Sequence, residues 1–130
     1  MKRYDDGTIY DLEPNEYIVI GTNIHGNHSG GAARYAAEHF GLEPGVGVGM
    51  SGQCYALPTM EGWDNLGDAV AHFIQHAENT PEHTYYLTRV GCGIAGYKDS
   101  EIAPLFADVP SNVIRPEGWG ILTNKDGGDK

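Results

Sequence analysis

Short apolar runs that are typical of buried strands alternate along this chain with segments of helical periodicity. In chain order the predicted elements are a strand at 17–20, a helix at 32–40, a strand at 53–57, a helix at 65–79, a strand at 85–90, a helix at 99–107 and a strand at 111–115. Such alternation favours a mainly parallel sheet covered by helices. We therefore predict an α/β fold, a three-layer α/β/α sandwich. It forms one domain over 1–130, with a polar leader at 1–14 and a mobile tail at 124–130.

The ends of the predicted helices carry recognisable signals. The helix at 65–79 is the clearest because its apolar residues recur at helical spacing. These residues are Leu66, Ala69, Val70, Phe73, Ile74 and Ala77. Asp64 is its predicted N-cap, and Gly41 is predicted to end the first helix. Asp99 is expected to be the N-cap or a first-turn acid of the last helix.

Acidic residues dominate the chain but are absent from its glycine-rich parts. The formal net charge is −10, which argues against nucleic acid and anionic membranes as partners because both are polyanions. The segments without Asp or Glu are 17–35, 44–60 and 84–98, and they hold Arg34, Arg89 and Lys98. This distribution predicts a neutral or positive pocket, which suits a small anionic ligand.

The two cysteines, Cys54 and Cys92, are too few for a disulfide framework or a four-cysteine zinc site. No metal or cofactor is therefore predicted. Two alternatives remain beside this reading. One is a zinc site of His25 and His28 with Cys54 or Cys92, and the other is a nucleophilic pair of Cys92 with His28. The N-terminal region has no apolar run, and no stretch approaches 18 apolar residues, so we expect a cytoplasmic protein.

Two glycine-rich loops each follow a predicted strand and precede a predicted helix. They span 21–31 and 91–97. Backbone N–H groups exposed in such loops bind phosphate or carboxylate groups, and Tyr97 could stack on a ligand ring. The alternative is that the glycines only permit tight turns. A third glycine-rich segment, 45–52, is expected to turn or to pass close to another group.

Three segments together resemble the macro domain family. They are GTNIHGNHSGGAA, GVGMSGQCYALPT and TRVGCGIAGYKDSEIAPLF, and the likeness covers residues 17–107. The chain is more similar still to a compact phage-associated group of uncharacterised macro-like proteins. The resemblance implies an α/β/α sandwich that binds ADP-ribose.

The resemblance also implies a set of ligand-binding residues. Asn23 matches the asparagine near the distal ribose, and Gly30 and Gly31 match the glycines beside the phosphate or that ribose. The late loop corresponds to the second phosphate-binding loop, and its predicted ligand-binding residues are Gly91, Cys92, Gly93, Ile94, Ala95, Gly96 and Tyr97. The family's Gly-Asp-Ile segment, whose aspartate contacts adenine, has no counterpart. Adenine selectivity is therefore not implied.

Binding and hydrolysis remain alternatives at this point. Hydrolysis of an ADP-ribosyl bond needs a positioned water and usually a base, and the candidate catalytic residues are Asn23, His28 and Asp99, with His25 as a further base. We favour binding because the glycine-rich segments contain no carboxylate. A second hypothesis is a noncatalytic interaction protein that meets a protein partner through exposed Trp63 and Trp119. A metal- or thiol-dependent hydrolase is the weakest alternative.

Overall fold

The structure is a computed structural model that describes residues 2–3, 9–28, 31–93, 95–116 and 118–119. Its elements are β1 (Lys2–Arg3), β2 (Ile9–Asp11), β3 (Glu16–Thr22), α1 (Gly31–His39), β4 (Gly49–Ser51), β5 (Cys54–Pro58), α2 (Trp63–Glu78), β6 (Thr84–Leu87), α3 (Asp99–Ile102), a 3-10 helix (Ala103–Phe106) and β7 (Val113–Ile114). The prediction of an α/β chain is confirmed.

One five-stranded sheet organises the domain, in the order β4-β5-β3-β6-β7. The central strand β3 pairs in parallel with β5 and β6, and β6 pairs in parallel with β7. Only the edge strand β4 runs antiparallel, against β5. The predicted mainly parallel sheet is therefore confirmed, and the carboxyl ends of β3, β5 and β6 lie at one edge of the sheet.

The central strand is buried on both faces, as its apolar run predicted. Ile18, Val19 and Ile20 are all buried. Successive strand residues point to opposite faces. Val19 accordingly belongs to a buried cluster with α2 and the 3-10 helix, whereas Ile18 and Ile20 belong to a second cluster with α1. The sheet thus separates two apolar cores.

The helix α1 contacts the sheet through small residues. Ala33 and Ala36 are buried against the cluster that contains Ile18 and Ile20. Gly41 follows with a φ of 81°, a left-handed conformation that glycine adopts without strain. The predicted end of the first helix is therefore confirmed.

The helix α2 begins earlier than predicted. It is 16 residues long, its N-cap is Gly62 without a side-chain capping bond, and Asp64 lies in its first turn. The prediction of Asp64 as N-cap was wrong, although an acid in the first turn still interacts favourably with the helix dipole.

No helix in the described part of the chain is long and apolar enough to cross a membrane.

Two predicted elements are shorter than the sequence suggested. The strand predicted to reach Val90 ends at Leu87, because the Val90 N–H donates to the Thr88 carbonyl at 2.7 Å and Gly91 has a φ of 80°. The last helix is one α-helical turn followed by a 3-10 turn that contains Pro104, which has no N–H to continue an α-helix. The predicted strand at 111–115 contains only the two residues of β7.

The predicted polar leader at 1–14 contains the two short strands β1 and β2. β1 and β2 pair antiparallel as a two-stranded sheet of their own. The predicted mobile tail at 124–130 lies outside the described residues.

Candidate functional site

The carboxyl edge of the parallel strands brings the predicted loops together. The first loop follows β3, a short segment at 59–62 follows β5, and the late loop follows β6. Ligands of open α/β sheets bind at this edge. The first and late loops are neighbours there, since a Cβ built on Gly21 would lie 3.5 Å from the Gly91 nitrogen.

Asn23 shapes the first loop. Its Nδ2 donates a hydrogen bond to the Asn27 carbonyl at 2.9 Å, and its Oδ1 accepts one from the Asn27 N–H at 3.1 Å. Both polar atoms of the side chain therefore hold the turn in the structure as it stands. Of the other predicted residues of this loop, Gly31 begins α1, while Gly30 lies outside the described residues.

Glycines of the middle segment contact the first loop rather than an open site. A Cβ on Gly47 would lie 2.3 Å from the Asn23 carbonyl oxygen, and a Cβ on Gly26 would lie 2.2 Å from the Gly45 carbonyl carbon. The Thr22 hydroxyl donates to the Gly47 carbonyl at 2.7 Å. The expected close approach in 45–52 is confirmed, and the group approached is the backbone of the first loop.

The late loop contains glycines with different roles. Gly91 is left-handed and packs beside the Ile102 side chain, and Gly96 is left-handed with a φ of 84°. Gly93 has neither property: its φ is outside the left-handed region, and a Cβ there would meet nothing within 4 Å. Among the described residues, nothing occupies the space beside Gly93. Ile94 lies outside the described residues, and Ala95 is half-buried.

Tyr97 forms an aromatic pair with Trp63 from the first turn of α2. The ring centroids are 5.3 Å apart with an interplanar angle of 58°. Trp63 is 46% exposed, as the interaction hypothesis expected, and Tyr97 is half-buried. Trp119 is only 1% exposed, so it does not offer the surface that the interaction hypothesis requires of it.

Asp99 lies at the centre of a hydrogen-bond network behind the late loop. Its Oδ1 accepts from Arg89 Nε and from Trp119 Nε1, both at 2.8 Å, and from the Cys92 thiol at 3.5 Å. The Arg89 hydrogen bond, helped by that of Trp119, lowers the pKa of Asp99 to about 2. Asp99 is a first-turn acid of α3, whose N-cap is Lys98. A carboxylate with so low a pKa is a weak general base.

Both thiols are protonated at neutral pH. Burial raises the pKa of Cys54 to about 12. Burial and the adjacent Asp99 carboxylate raise the pKa of Cys92 to about 11. Nucleophilic cysteines instead have a depressed pKa, so these contacts oppose the alternative of thiol catalysis. Both cysteines are free.

His28 has one engaged and one unpartnered nitrogen. Its Nε2 lies 3.2 Å from the Glu43 carbonyl, which can only accept, so Nε2 carries the proton. Its Nδ1 is buried and has no hydrogen-bond partner among the described residues. His25 is exposed. Within those same residues, no group of three or more His, Cys, Asp or Glu side chains could hold a metal ion.

Glu61 is a polar residue of this edge that the sequence prediction missed. Its Oε2 accepts a hydrogen bond from the Ile24 N–H at 3.1 Å. Its Oε1 is buried and has no partner within the described part of the chain. Glu61 is the first acid after the segment 44–60, close to the end of a predicted strand, and that position was the signal that could have identified it.

The three segments without Asp or Glu contain three basic residues, and two of these pair with carboxylates from elsewhere in the chain. Arg89 binds Asp99, and Arg34 Nε lies 3.2 Å from Glu38 Oε2. The site is therefore closer to neutral than the charge count along the chain suggested. A neutral site binds anions through backbone N–H groups rather than through net charge.

No family model, curated protein or solved structure matches this chain in the three comparisons. The likeness to macro domains over residues 17–107 thus stays a prediction from the sequence.

Proposed function

We propose that this protein binds ADP-ribose, or a related phosphate-containing nucleotide, at the carboxyl edge of its sheet. The observation that carries this proposal is the adjacency of the first and late loops, together with exposed Gly93, where an added Cβ would meet no described atom within 4 Å. Two glycine-containing loops that follow adjacent parallel strands form the usual place for such a ligand.

Gly93 is the predicted contact for a phosphate group. Its position needs neither a left-handed backbone nor internal packing space. No hydrogen bond between described residues uses the Gly93 N–H. A backbone N–H with no Cβ beside it is accessible to a phosphate oxygen. Approach of a ligand would explain why this position is glycine.

The pair of Trp63 and Tyr97 supplies a surface for a planar ring. Each aromatic ring that stacks on a nucleobase contributes about 1–3 kcal/mol, whatever the base. This surface tolerates different bases, which agrees with the missing adenine-contacting aspartate of the macro domain pattern. The protein would therefore bind nucleotides with different bases and would not select one particular base.

The proposed macro-like architecture is a three-layer α/β/α sandwich. Its support comes from the two buried clusters, one containing α1 and the other containing α2. These clusters contain alternate residues of β3. That arrangement supports a helix layer on each face of the sheet.

We propose binding rather than hydrolysis as the activity. Asp99 is a weak base because of its low pKa, and both side-chain polar atoms of Asn23 are occupied. The remaining candidate base is His28, whose Nδ1 has no hydrogen-bond partner among the described residues. Incubation with an ADP-ribosylated protein, followed by measurement of released ADP-ribose, tests hydrolysis separately.

Isothermal titration calorimetry with ADP-ribose, and with AMP and NAD for comparison, tests the proposal. The Gly93→Val variant should lose affinity by about tenfold or more, since a β-branched side chain would occupy the approach to the N–H. Gly67→Val in α2 is the matched control, because a Cβ there also meets nothing within 4 Å.

Two outcomes would count against the proposal. Unchanged affinity of Gly93→Val would show that the late loop does not bind the phosphate. Absence of heat with ADP-ribose at millimolar concentration would reject ADP-ribose as the ligand.

A noncatalytic interaction protein is the second candidate. Exposed Ile24, Met60 and Trp63 at the same edge favour it, because an apolar patch of this kind also suits a protein surface. A specific protein partner that is lost in Trp63→Ala, together with no nucleotide binding by the wild type, would support this candidate instead.

A further inference from the structure

We infer that Glu61 selects ligands that carry a sugar, by accepting a hydrogen bond from a ribose hydroxyl at the carboxyl edge. This inference rests on the proposed function and assigns a specificity-determining residue to the same site.

The two carboxylate oxygens of Glu61 have different surroundings. The Ile24 N–H, 3.1 Å from Oε2, orients the carboxylate. Oε1 is buried and lacks a hydrogen-bond partner among the described residues. A buried acceptor without a donor costs about 1–3 kcal/mol, and more when it is charged. A donor from a ligand would remove that cost.

The chemistry around Glu61 favours a neutral donor. The negative carboxylate repels a phosphate group at this point. The charges of Arg34 and Arg89 are already paired with Glu38 and Asp99. A hydroxyl that donates to a carboxylate makes a charge-assisted hydrogen bond without bringing in a second charge.

The position of Glu61 suits the sugar of a nucleotide. Its Oε2 contacts the first loop at Ile24, the residue after Asn23. Trp63, two residues further along the chain, pairs with Tyr97 of the late loop. Glu61 therefore contacts the first loop and lies two residues before a member of the aromatic pair. A ligand whose ring contacts Trp63 and whose phosphate contacts Gly93 places a sugar in this region.

The backbone near Glu61 is held in place. The Thr59 N–H donates to the Thr22 carbonyl at 2.8 Å, and the Asn65 side chain donates to the Glu61 carbonyl at 2.7 Å. A specificity residue has to be positioned by such contacts before the ligand arrives. Loss of the Glu61 carboxylate should therefore change the ligand preference more than the fold.

Calorimetry with Glu61→Gln tests the inference. Glu78→Gln on the exposed surface of α2 is the matched control, because it makes the same change in net charge. The probes are ADP-ribose, ADP, 2′-deoxy-ADP and inorganic pyrophosphate. We expect Glu61→Gln to bind ADP-ribose about tenfold more weakly than Glu78→Gln, with pyrophosphate binding unchanged.

The probes also identify which ribose is bound. If Glu61 contacts the terminal ribose, ADP binding does not change in Glu61→Gln. If it contacts the ribose of the nucleoside, ADP binding weakens as well, and 2′-deoxy-ADP, which lacks one hydroxyl, is affected less. Should Glu61→Gln fail to fold, Glu61→Asp, which withdraws the carboxylate by one methylene, is expected to show the same selective loss.

Two results would overturn the inference. One is wild-type affinity for ADP-ribose in Glu61→Gln; the other is an equal loss for pyrophosphate, which has no hydroxyl. In either case nucleotide binding by the wild type would still stand. If the wild type bound none of the probes, the proposed function itself would fail, and the inference with it.

Discussion

The glycines of this protein have distinct physical reasons for their positions. Gly26 and Gly47 touch backbone atoms of neighbouring loops, and Gly91 has a left-handed φ beside Ile102. A larger residue at these positions would strain the fold. Gly93 has no such internal reason. The count of glycines therefore overstates the number of ligand contacts, and Gly93 is the position where substitution separates binding from stability.

The network of Asp99 predicts a stability effect that depends on pH. The pKa of Asp99 is lowered from 3.8 to about 2 in the folded protein, chiefly by Arg89. Its contribution to the free energy of unfolding is therefore complete above about pH 4 and is lost as the pH falls through about 2. We expect Asp99→Asn to lower this free energy at pH 7 by about 1–2 kcal/mol, after allowance for solvent screening.

Urea denaturation at several pH values between 7 and 2 measures this effect. The difference between wild type and Asp99→Asn should shrink as the pH falls below 4. Asp108→Asn removes an exposed carboxylate and serves as the control with the same change in charge. A difference that stays constant down to pH 2 would mean that ionisation of Asp99 does not stabilise the fold.

At the scale of elements, α2 contributes the largest apolar face of the helices described. Phe73 is fully buried, and its ring centroid lies 5.0 Å from that of Tyr55 and 5.5 Å from that of Tyr85. These contacts join the helix to β5 and β6, the two strands that flank β3. The position of the aromatic pair at the start of α2 depends on this packing.

We expect Phe73→Ala to lower the free energy of unfolding by about 3–5 kcal/mol, because it leaves a cavity between helix and sheet. Circular dichroism during urea denaturation measures the change. His72→Ala, on the exposed side of the same turn, should change it by about 0.5 kcal/mol or less. A loss of less than about 1 kcal/mol in Phe73→Ala would show that the core rearranges to fill the cavity.

Helical periodicity predicted α2, and a continuous apolar run predicted β3, which is buried on both faces. Neither signal could predict the pairing of β1 with β2, since strands of two and three residues are too short to show a pattern. Glu61 was missed for a related reason: its role depends on a contact with Ile24, 37 positions away along the chain. Asp99 was recognised as a first-turn acid, whereas its bonds to Arg89 and Trp119 arise from tertiary structure alone.

At the scale of the whole molecule, the net charge and the candidate site favour different kinds of ligand. The net charge of −10 opposes binding to any extended polyanion, whereas the loops at the carboxyl edge offer backbone donors to a small anion. The two properties are compatible because a phosphate responds to nearby donors, while a duplex faces the entire surface. If the proposed function holds, the molecule therefore discriminates between anionic ligands by their size.

We expect no binding of duplex DNA at a salt concentration of about 150 mM. An electrophoretic mobility shift assay with micromolar protein measures this, and a lysine-rich protein of similar size serves as the positive control. A shift that weakens with added salt would contradict the prediction, because it would reveal a basic surface strong enough to overcome the net charge.

The two tryptophans give the molecule a pair of independent optical probes. Trp63 is 46% exposed beside Tyr97, and Trp119 is 1% exposed against Phe106. Iodide should quench the emission of Trp63 and leave that of Trp119, so the quenchable fraction of fluorescence reports occupancy of the carboxyl edge. The protected fraction reports the integrity of the core, and one titration therefore separates a ligand that binds from one that unfolds the protein.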